Sequence, residues 1–518
     1  GMNGAETLVR TLLENGVDTC FANPGTSEMH FVAALDENPD MRSILCLFEG
    51  GTTGAADGYA RMTGNVAATL LHLAPGFGNA FANLHNARKA GSGIVNVVGD
   101  HASYHLKYES PLKGNVEGIS AAVSHWTRTC QSARSVALDG AAAITAARSG
   151  GGQIATLILP ADTAWEPGGD VAVCAPVPEP RLPGADRIAA AAEVLRNPGA
   201  CLMVGRDALY GRLRRIAGQI AHETGCRLMS DTAVPRLERG GGSVQIEPLV
   251  YHIDGKLGQL EQASHIVLCG LHRPVAFFAY PGKPSLPEPA NCQVHPLCDP
   301  GMDIAGTLYA LAQTLGISDD APVDVVPLEL PALPEGTVTL EKAGAAIAAL
   351  MPENSIIVNE SVTASFPLLS ATRTARPHDL LATTGGAIGQ CLPCATGAAV
   401  ACPDRQVIAL SGDGSAMYTL QSLWTMAREH LNVVVIVIAN RGYQILHGEL
   451  KAVGVDSVGR NAHRMFDLVD PDLDWVALAQ GHGVPAARAT SMEAFNDALT
   501  KGLDTNGPYL IELVVPAD

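Results

Sequence analysis

Asp413 lies in the run Leu410-Ser411-Gly412-Asp413-Gly414-Ser415, and Asn440 follows it by 27 positions, directly after the apolar stretch Val433 to Ile438. The segment from Gln406 to Leu410 reads as a buried strand that delivers Asp413 at its carboxyl end, where open α/β sheets bind ligands. Gly412 and Gly414 let the backbone approach a phosphate closely. A second strand brings Asn440, Arg441, Gly442 and Tyr443 to the same edge. One carboxylate, one amide oxygen and the Gly442 carbonyl make a sparse oxygen site, suited to a small hard cation whose shell is completed by phosphates and water. The spacing therefore predicts Mg²⁺ bridging to a bound diphosphate, with Ser415 and Tyr443 in reach of its oxygens.

Two further groups carry chemistry. Leu45-Cys46-Leu47-Phe48-Glu49 ends an apolar run with a carboxylate, and the small residues that follow, Gly50 to Ala60, let a helix pack closely beside it. An acid at a strand end in apolar surroundings is placed to hydrogen-bond as a proton donor. His72 stands ahead of what reads as a glycine-rich turn, Ala74-Pro75-Gly76-Phe77-Gly78-Asn79. A glycine-dense turn, Thr383-Thr384-Gly385-Gly386-Ala387-Ile388-Gly389, precedes Cys391-Leu392-Pro393-Cys394. That single CxxC has no second pair and no electropositive context, so small residues opening a packed helix explain it better than zinc or redox chemistry.

The Gly-Asp-Gly run followed by an asparagine resembles the signature of thiamine diphosphate (ThDP) enzymes, and the resemblance covers nearly the whole chain. It is similar above all to the benzoylformate decarboxylases and, further off, to acetolactate synthase catalytic subunits. The resemblance implies an α/β fold of three doubly wound parallel-sheet domains: pyrimidine-binding, middle and diphosphate-binding. It implies ThDP and Mg²⁺ as cofactors, Glu49 as the acid that touches the aminopyrimidine, Ile388 as the apolar residue that bends the cofactor, and Gly386 as acceptor for its 4′-amino group. Asn23-Pro24-Gly25-Thr26-Ser27-Glu28 resembles the decarboxylases' active-site turn, with Thr26 in place of a serine, and His72 matches their first catalytic histidine. No histidine falls in register for the second; Pro274 to Tyr280 occupies that place, with His272 and His101 as nearby candidates. Leu446 and His447 belong to the expected pocket-capping helix, Gln444 to Glu449.

The activity implied is that of a lyase: decarboxylation of a 2-oxo acid, with carboligation as the competing outcome. The alternatives are an acetolactate synthase-type carboligase and a ThDP-binding subunit with degenerate catalysis. FAD is not expected, because the middle domain has little room for the insertions that hold it. Members of the family pair their sites between chains, which implies a homodimer or homotetramer.

The elements that must position these residues follow from bulk properties and punctuation. A chain of 518 residues suggests about three domains. The proline-rich stretches Pro176 to Pro183 and Pro322 to Pro334 read as linkers. They divide the chain into residues 2–170, 185–320 and 337–518. Each part alternates apolar β-branched runs with helical periodicity, the pattern of parallel sheets covered on both faces. Strands are predicted at Ile94 to Val98, Ala155 to Leu159, Cys201 to Val204, His265 to Cys269, Ser355 to Val358, Gln406 to Leu410 and Val433 to Ile438. The turn Gly205-Arg206-Asp207 lacks the three-glycine dinucleotide fingerprint, which argues against a nicotinamide site.

Apolar residues make up 47% and charged residues 17%, as in a well-folded enzyme. A net charge of −18 argues against nucleic acid or anionic membranes as partners. With no spanning run and no visible secretory signal, the expected compartment is cytoplasmic, and the twelve cysteines are expected to be reduced and buried.

Overall fold

The computed structural model describes residues 1–516. Three sheets organise it. The first holds β1 (Thr19–Ala22), β2 (Arg42–Leu45), β3 (Ala67–His72), β4 (Ile94–Asp100), β5 (Trp126–Thr129) and β6 (Ile154–Pro160), ordered β2-β1-β3-β4-β6-β5 with every pair parallel. From the middle of the chain come β7 (Ala200–Val204), β8 (Arg227–Ser230), β9 (Leu237–Arg239), β10 (Glu247–Pro248), β11 (His265–Cys269) and β12 (Gln293–Cys298). Five of them form a parallel sheet ordered β10-β8-β7-β11-β12. The third sheet holds β13 (Ser355–Glu360), β14 (His378–Leu381), β15 (Val407–Gly412), β16 (Val433–Ala439), β17 (Ala486–Ala489) and β18 (Tyr509–Val514).

The sixth strand of the middle stretch leaves its neighbours. β9 pairs antiparallel with β14 at the edge of the third sheet, giving the order β17-β18-β16-β15-β13-β14-β9. That sheet is therefore mixed rather than purely parallel. The strand directions otherwise follow from composition. β16 reads Val-Val-Val-Ile-Val-Ile-Ala and is buried at every position, as helices on both faces require. All seven predicted strands are present, with shifts at their ends: β15 starts at Val407 rather than Gln406 and runs on to Gly412.

The first and third sheets share one apolar core, which includes Leu71, Phe77, Leu392 and Val435. Helices Glu49–Thr63 and Cys391–Ala401 cross at its centre. A Cβ at Gly58 would run into the Cys394 carbonyl, so only glycine allows this approach. A buried ion pair within the first of these helices, Arg61 to Asp57 at 2.9 Å, leaves Arg61 to donate to Pro235 O, Ala382 O and Thr384 Oγ1, tying the helix to more distant parts of the chain. All twelve cysteines are free, nine of them buried. Burial pushes the Cys394 thiol up to about 12, so the CxxC has no reactive thiolate there. No helix among the described residues is long and apolar enough to cross a membrane.

Candidate active site

Strand order decides where the candidate residues meet. In the third sheet the chain reverses its direction of travel between β13 and β15, so the carboxyl ends of β13, β15 and β16 flank a topological switch point. Glu360, Asp413 and Asn440 stand at those three ends. In the first sheet the reversal falls between β1 and β3, which brings the Asn23–Glu28 turn and His72 together, with Glu49 beyond the end of β2.

Asp413 is 3% exposed. Its Oδ1 accepts from Gly414 N at 3.0 Å, and its Oδ2 from Arg441 N at 2.8 Å. Arg441 takes a left-handed φ of +58° to present that N–H. Burial, partly opposed by these N–H donors, pushes the carboxyl up to about 6. Asn440 Oδ1 accepts from Gly442 N at 3.3 Å, and the Tyr443 ring packs on Gly414. Ser415 is buried behind Gly412. A buried carboxylate with an amide oxygen and a loop carbonyl alongside is a donor set that fits Mg²⁺, and the uncrowded backbone at Gly412 fits a phosphate. Asp413, Asn440 and Gly442 carry the oxygens that such an ion would need.

The glycine turn before Cys391 is gripped at alternate residues. His85 Nε2 bonds to Gly385 O at 3.0 Å. Asn86 closes on Ala387 from both sides, donating to its carbonyl at 2.9 Å and accepting from its N–H at 3.1 Å. Gly389 O accepts from Asn83 at 3.2 Å and from Thr419 Oγ1 at 2.9 Å. Gly386 and Ile388 lie between these anchors without backbone hydrogen bonds among the described residues, so they remain free to meet a ligand. Below the turn, buried Glu360 accepts from Gly389 N at 3.2 Å and Gln390 N at 2.7 Å. Burial pushes this carboxyl up to about 7. Its signal in the sequence was the one that marks Asp413, a carboxylate ending an apolar strand.

Glu49 differs from expectation in its setting. β2 stops at Leu45, and Glu49 opens the helix to Thr63, its Oε2 accepting from Asn79 at 2.8 Å. His72 ends β3, and the stretch after it is not a turn but the start of helix Leu73–Ala90. Its two glycines, Gly76 and Gly78, take ordinary helical backbone with room for a side chain.

His72 Nδ1 lies 2.8 Å from Glu28 Oε2, and the Glu28 side chain is 1% exposed. Ser27 Oγ donates to Glu28 Oε1 at 2.8 Å and sits 3.3 Å from the same imidazole nitrogen. A Cβ at Gly25 would strike the His72 ring, so glycine is required there. Thr26 is exposed and its hydroxyl contacts neither His72 nor Glu28. The structure thus brings Ser27 and Glu28, both missed as functional residues in the sequence, against His72. His101 follows the next strand and bonds to Ser110 Oγ at 3.0 Å. His272 is exposed.

The capping helix runs Gln444–Ala452. Leu446 is partly exposed on it, while His447 Nε2 is tied to Asp467 at 3.0 Å. The Pro274–Tyr280 segment folds over the glycine turn of the same chain. A Cβ on Gly386 would lie 2.6 Å from Phe277 Cζ, and Phe277 packs against Phe278 and Tyr251 at centroid distances of 4.9 and 5.3 Å. Tyr280 OH donates to Glu449 Oε2 at 2.7 Å, joining this segment to the capping helix.

Two nucleotide-type switch points, one carrying an acid and a histidine and the other a diphosphate cradle, define a cofactor-dependent α/β enzyme. Residues 2–123 match the thiamine pyrophosphate enzyme N-terminal TPP binding domain, and residues 363–513 match the C-terminal TPP binding domain. The chain belongs to the thiamine diphosphate enzyme family. It is 48% identical, over all of its length and 99% of the other, to a Mycobacterium tuberculosis protein provisionally named as an acetolactate synthase large subunit, IlvX. It is 29% identical to benzoylformate decarboxylase of Pseudomonas aeruginosa across 97% of both chains. The Rhodococcus jostii thiamine diphosphate-dependent 4-hydroxybenzoylformate decarboxylase superposes with a TM-score of 0.85 at 25% identity, covering 100% of this chain and 99% of that one. The chain is accordingly a ThDP-dependent enzyme of the carbon–carbon lyase or carboligase type.

Proposed function

We propose that the chain is a Mg²⁺- and ThDP-dependent decarboxylase of 2-oxo acids with an apolar or aromatic acyl group, working as a cytoplasmic homodimer or homotetramer without a flavin. The observation that carries this reading is the Glu28–His72 pair at the edge that also bears Glu49. When bound, ThDP supplies the carbon nucleophile and the electron sink for loss of CO₂. Glu49, held by Asn79, is the proton-carrying group for the pyrimidine ring. Glu28 fixes the imidazole through Nδ1 and leaves Nε2 free to exchange a proton with the substrate. Phe277, Phe278 and Tyr251 form an aromatic wall beside Gly386, a surface that suits an apolar or aromatic acyl group. The glutamate and the diphosphate cradle that serve one cofactor come from different chains of the dimer.

The 48% identity to the acetolactate synthase-named protein supports a second reading, carboligation of two 2-oxo acids. A panel of aliphatic and aryl 2-oxo acids, scored for CO₂, aldehyde and 2-hydroxyketone, separates the two. Aldehyde from aryl substrates supports the first reading, and acetolactate from pyruvate with no aldehyde from any aryl acid replaces it with the second.

A further inference from the structure

A cavity of about 550 Å³ lies between helix Gly211–Thr224 of the middle stretch and the third sheet, and none of the residues assigned above lines it. Its walls include Arg214, Arg239 and Arg373, with Ser243 and Gln245. None of these three arginines pairs with a carboxylate among the described residues. Arg214 is 2% exposed; it donates through its terminal nitrogens to the Leu209, Glu238 and Val244 carbonyls, and its Nε is buried with no partner at all. Arg239 donates only to neutral groups, Thr372 Oγ1 and Leu369 O, both at 2.9 Å, and abuts His378 Nε2. Arg373 is exposed and makes no hydrogen bond or ion pair among the described residues.

Four arginines and two carboxylates line the cavity, and both carboxylates already have partners: Glu247 grips Arg227, the fourth arginine, at 2.7 and 2.8 Å, and Asp324 pairs with His222 at 3.2 Å. Glu238 accepts from Gly211 N. Asp379 is shared between Arg236 and Arg405. The result is a local excess of positive charge in a chain whose net charge is −18. Burial first, then repulsion from Arg373 and Arg214, pushes the Arg239 guanidinium down to about 10, and burial does the same to Arg214. Unpaired buried cations are costly to a fold unless something of opposite charge offsets them.

We propose that this cavity binds a small di- or trianion that presents phosphate or carboxylate oxygens to the arginine trio. Guanidinium forks match both oxyanions bidentately, and the volume is that of a metabolite site. Arg239 lies on β9, paired with the third sheet, and Arg373 belongs to that part of the chain, whereas Arg214 belongs to the middle helix. A bound anion therefore braces the middle part against the part that carries the diphosphate cradle.

The test uses the full chain loaded with ThDP and Mg²⁺, so that the cofactor's own diphosphate site is filled. Inorganic phosphate and succinate are titrated separately at constant free Mg²⁺ and ionic strength, with chloride as the reference, while the unfolding temperature is followed. A saturable rise in the wild type is expected, with the stronger of the two titrants identifying the oxyanion class. Arg373→Ala, an exposed position outside the catalytic machinery, should weaken the apparent affinity by about tenfold, and Arg373→Lys should restore part of it. A wild-type response to neither anion overturns the proposal. So does a response that is identical in Arg373→Ala, because the anion then binds elsewhere. Neither result depends on which 2-oxo acid the enzyme takes.

Discussion

The imidazole of His72 is held by Glu28: Nδ1 lies 2.8 Å from a carboxylate oxygen that the fold has almost wholly removed from water. The bond fixes the tautomer and the ring plane, because a buried carboxylate takes the Nδ1 proton's bond and no partner for Nε2 is found among the described residues. Glu28→Gln keeps the shape and lets the ring adopt either tautomer. We expect kcat to fall by about 10²-fold with a small change in KM. Steady-state kinetics on the preferred 2-oxo acid will read this, and unchanged kcat would make Glu28 a packing residue only.

Glu49 and His72 should fail in different steps. Glu49→Gln removes the proton carrier but leaves the diphosphate cradle untouched, so hydrogen–deuterium exchange at the cofactor C2 should slow by orders of magnitude at normal ThDP affinity. His72→Ala should exchange C2 at the wild-type rate and lose turnover. Acid-quenched NMR separates the two, and wild-type exchange in Glu49→Gln would remove the acid from the mechanism.

Asp413→Ala should abolish Mg²⁺-dependent ThDP binding, since the remaining donors at Asn440 and Gly442 are neutral. Calorimetry with and without Mg²⁺ measures it directly. Asn440→Ala should weaken binding less, because it removes an amide oxygen and not the charge.

Glu360 gives the apo enzyme a pH signature. Burial raises its folded-state value from an ordinary 4.5 to about 7. The folded form then binds the extra proton, so this group's contribution is fully present below its unfolded value and is lost as pH rises through about 7. The change is of the order of 3 kcal/mol across that interval. Glu360→Gln should flatten the fall in unfolding temperature between about pH 5 and 7.5. Equal slopes in variant and wild type would show that the carboxyl titrates normally.

The active species should be at least a homodimer, because Glu49 stands partly open at the protomer surface instead of being enclosed by its own chain. Sedimentation of the holoenzyme at assay concentration should show no active monomer. An active, cofactor-loaded monomer would require both halves of the site to come from one chain.

Strands such as β11 and β16 were legible in the sequence because their burial on both faces demands an unbroken apolar run, and that demand is local. Asp413, Asn440 and His72 were legible for a related reason: each stands at or just beyond the end of such a run, whereas Glu49 follows a short, partly exposed strand and opens a helix. Their partners were not. Asn86 finds Ala387 across 301 residues, and Arg61 finds Thr384 across 323, contacts that no spacing along the chain encodes. The helical state of the segment after His72 was missed because its glycines and proline read as a turn. The packing of helix Leu73–Ala90 under the site overrides that preference. β9, Leu-Glu-Arg, carries no apolar run to announce it and pairs with β14, since an edge strand is placed by the free hydrogen bonds it meets. The sequence by itself determined which strand ends carry charge and which loops are bare enough for a phosphate. Only the tertiary structure decided which of those ends face one another, because that depends on strand order, and strand order is settled by the packing of whole helices and sheets.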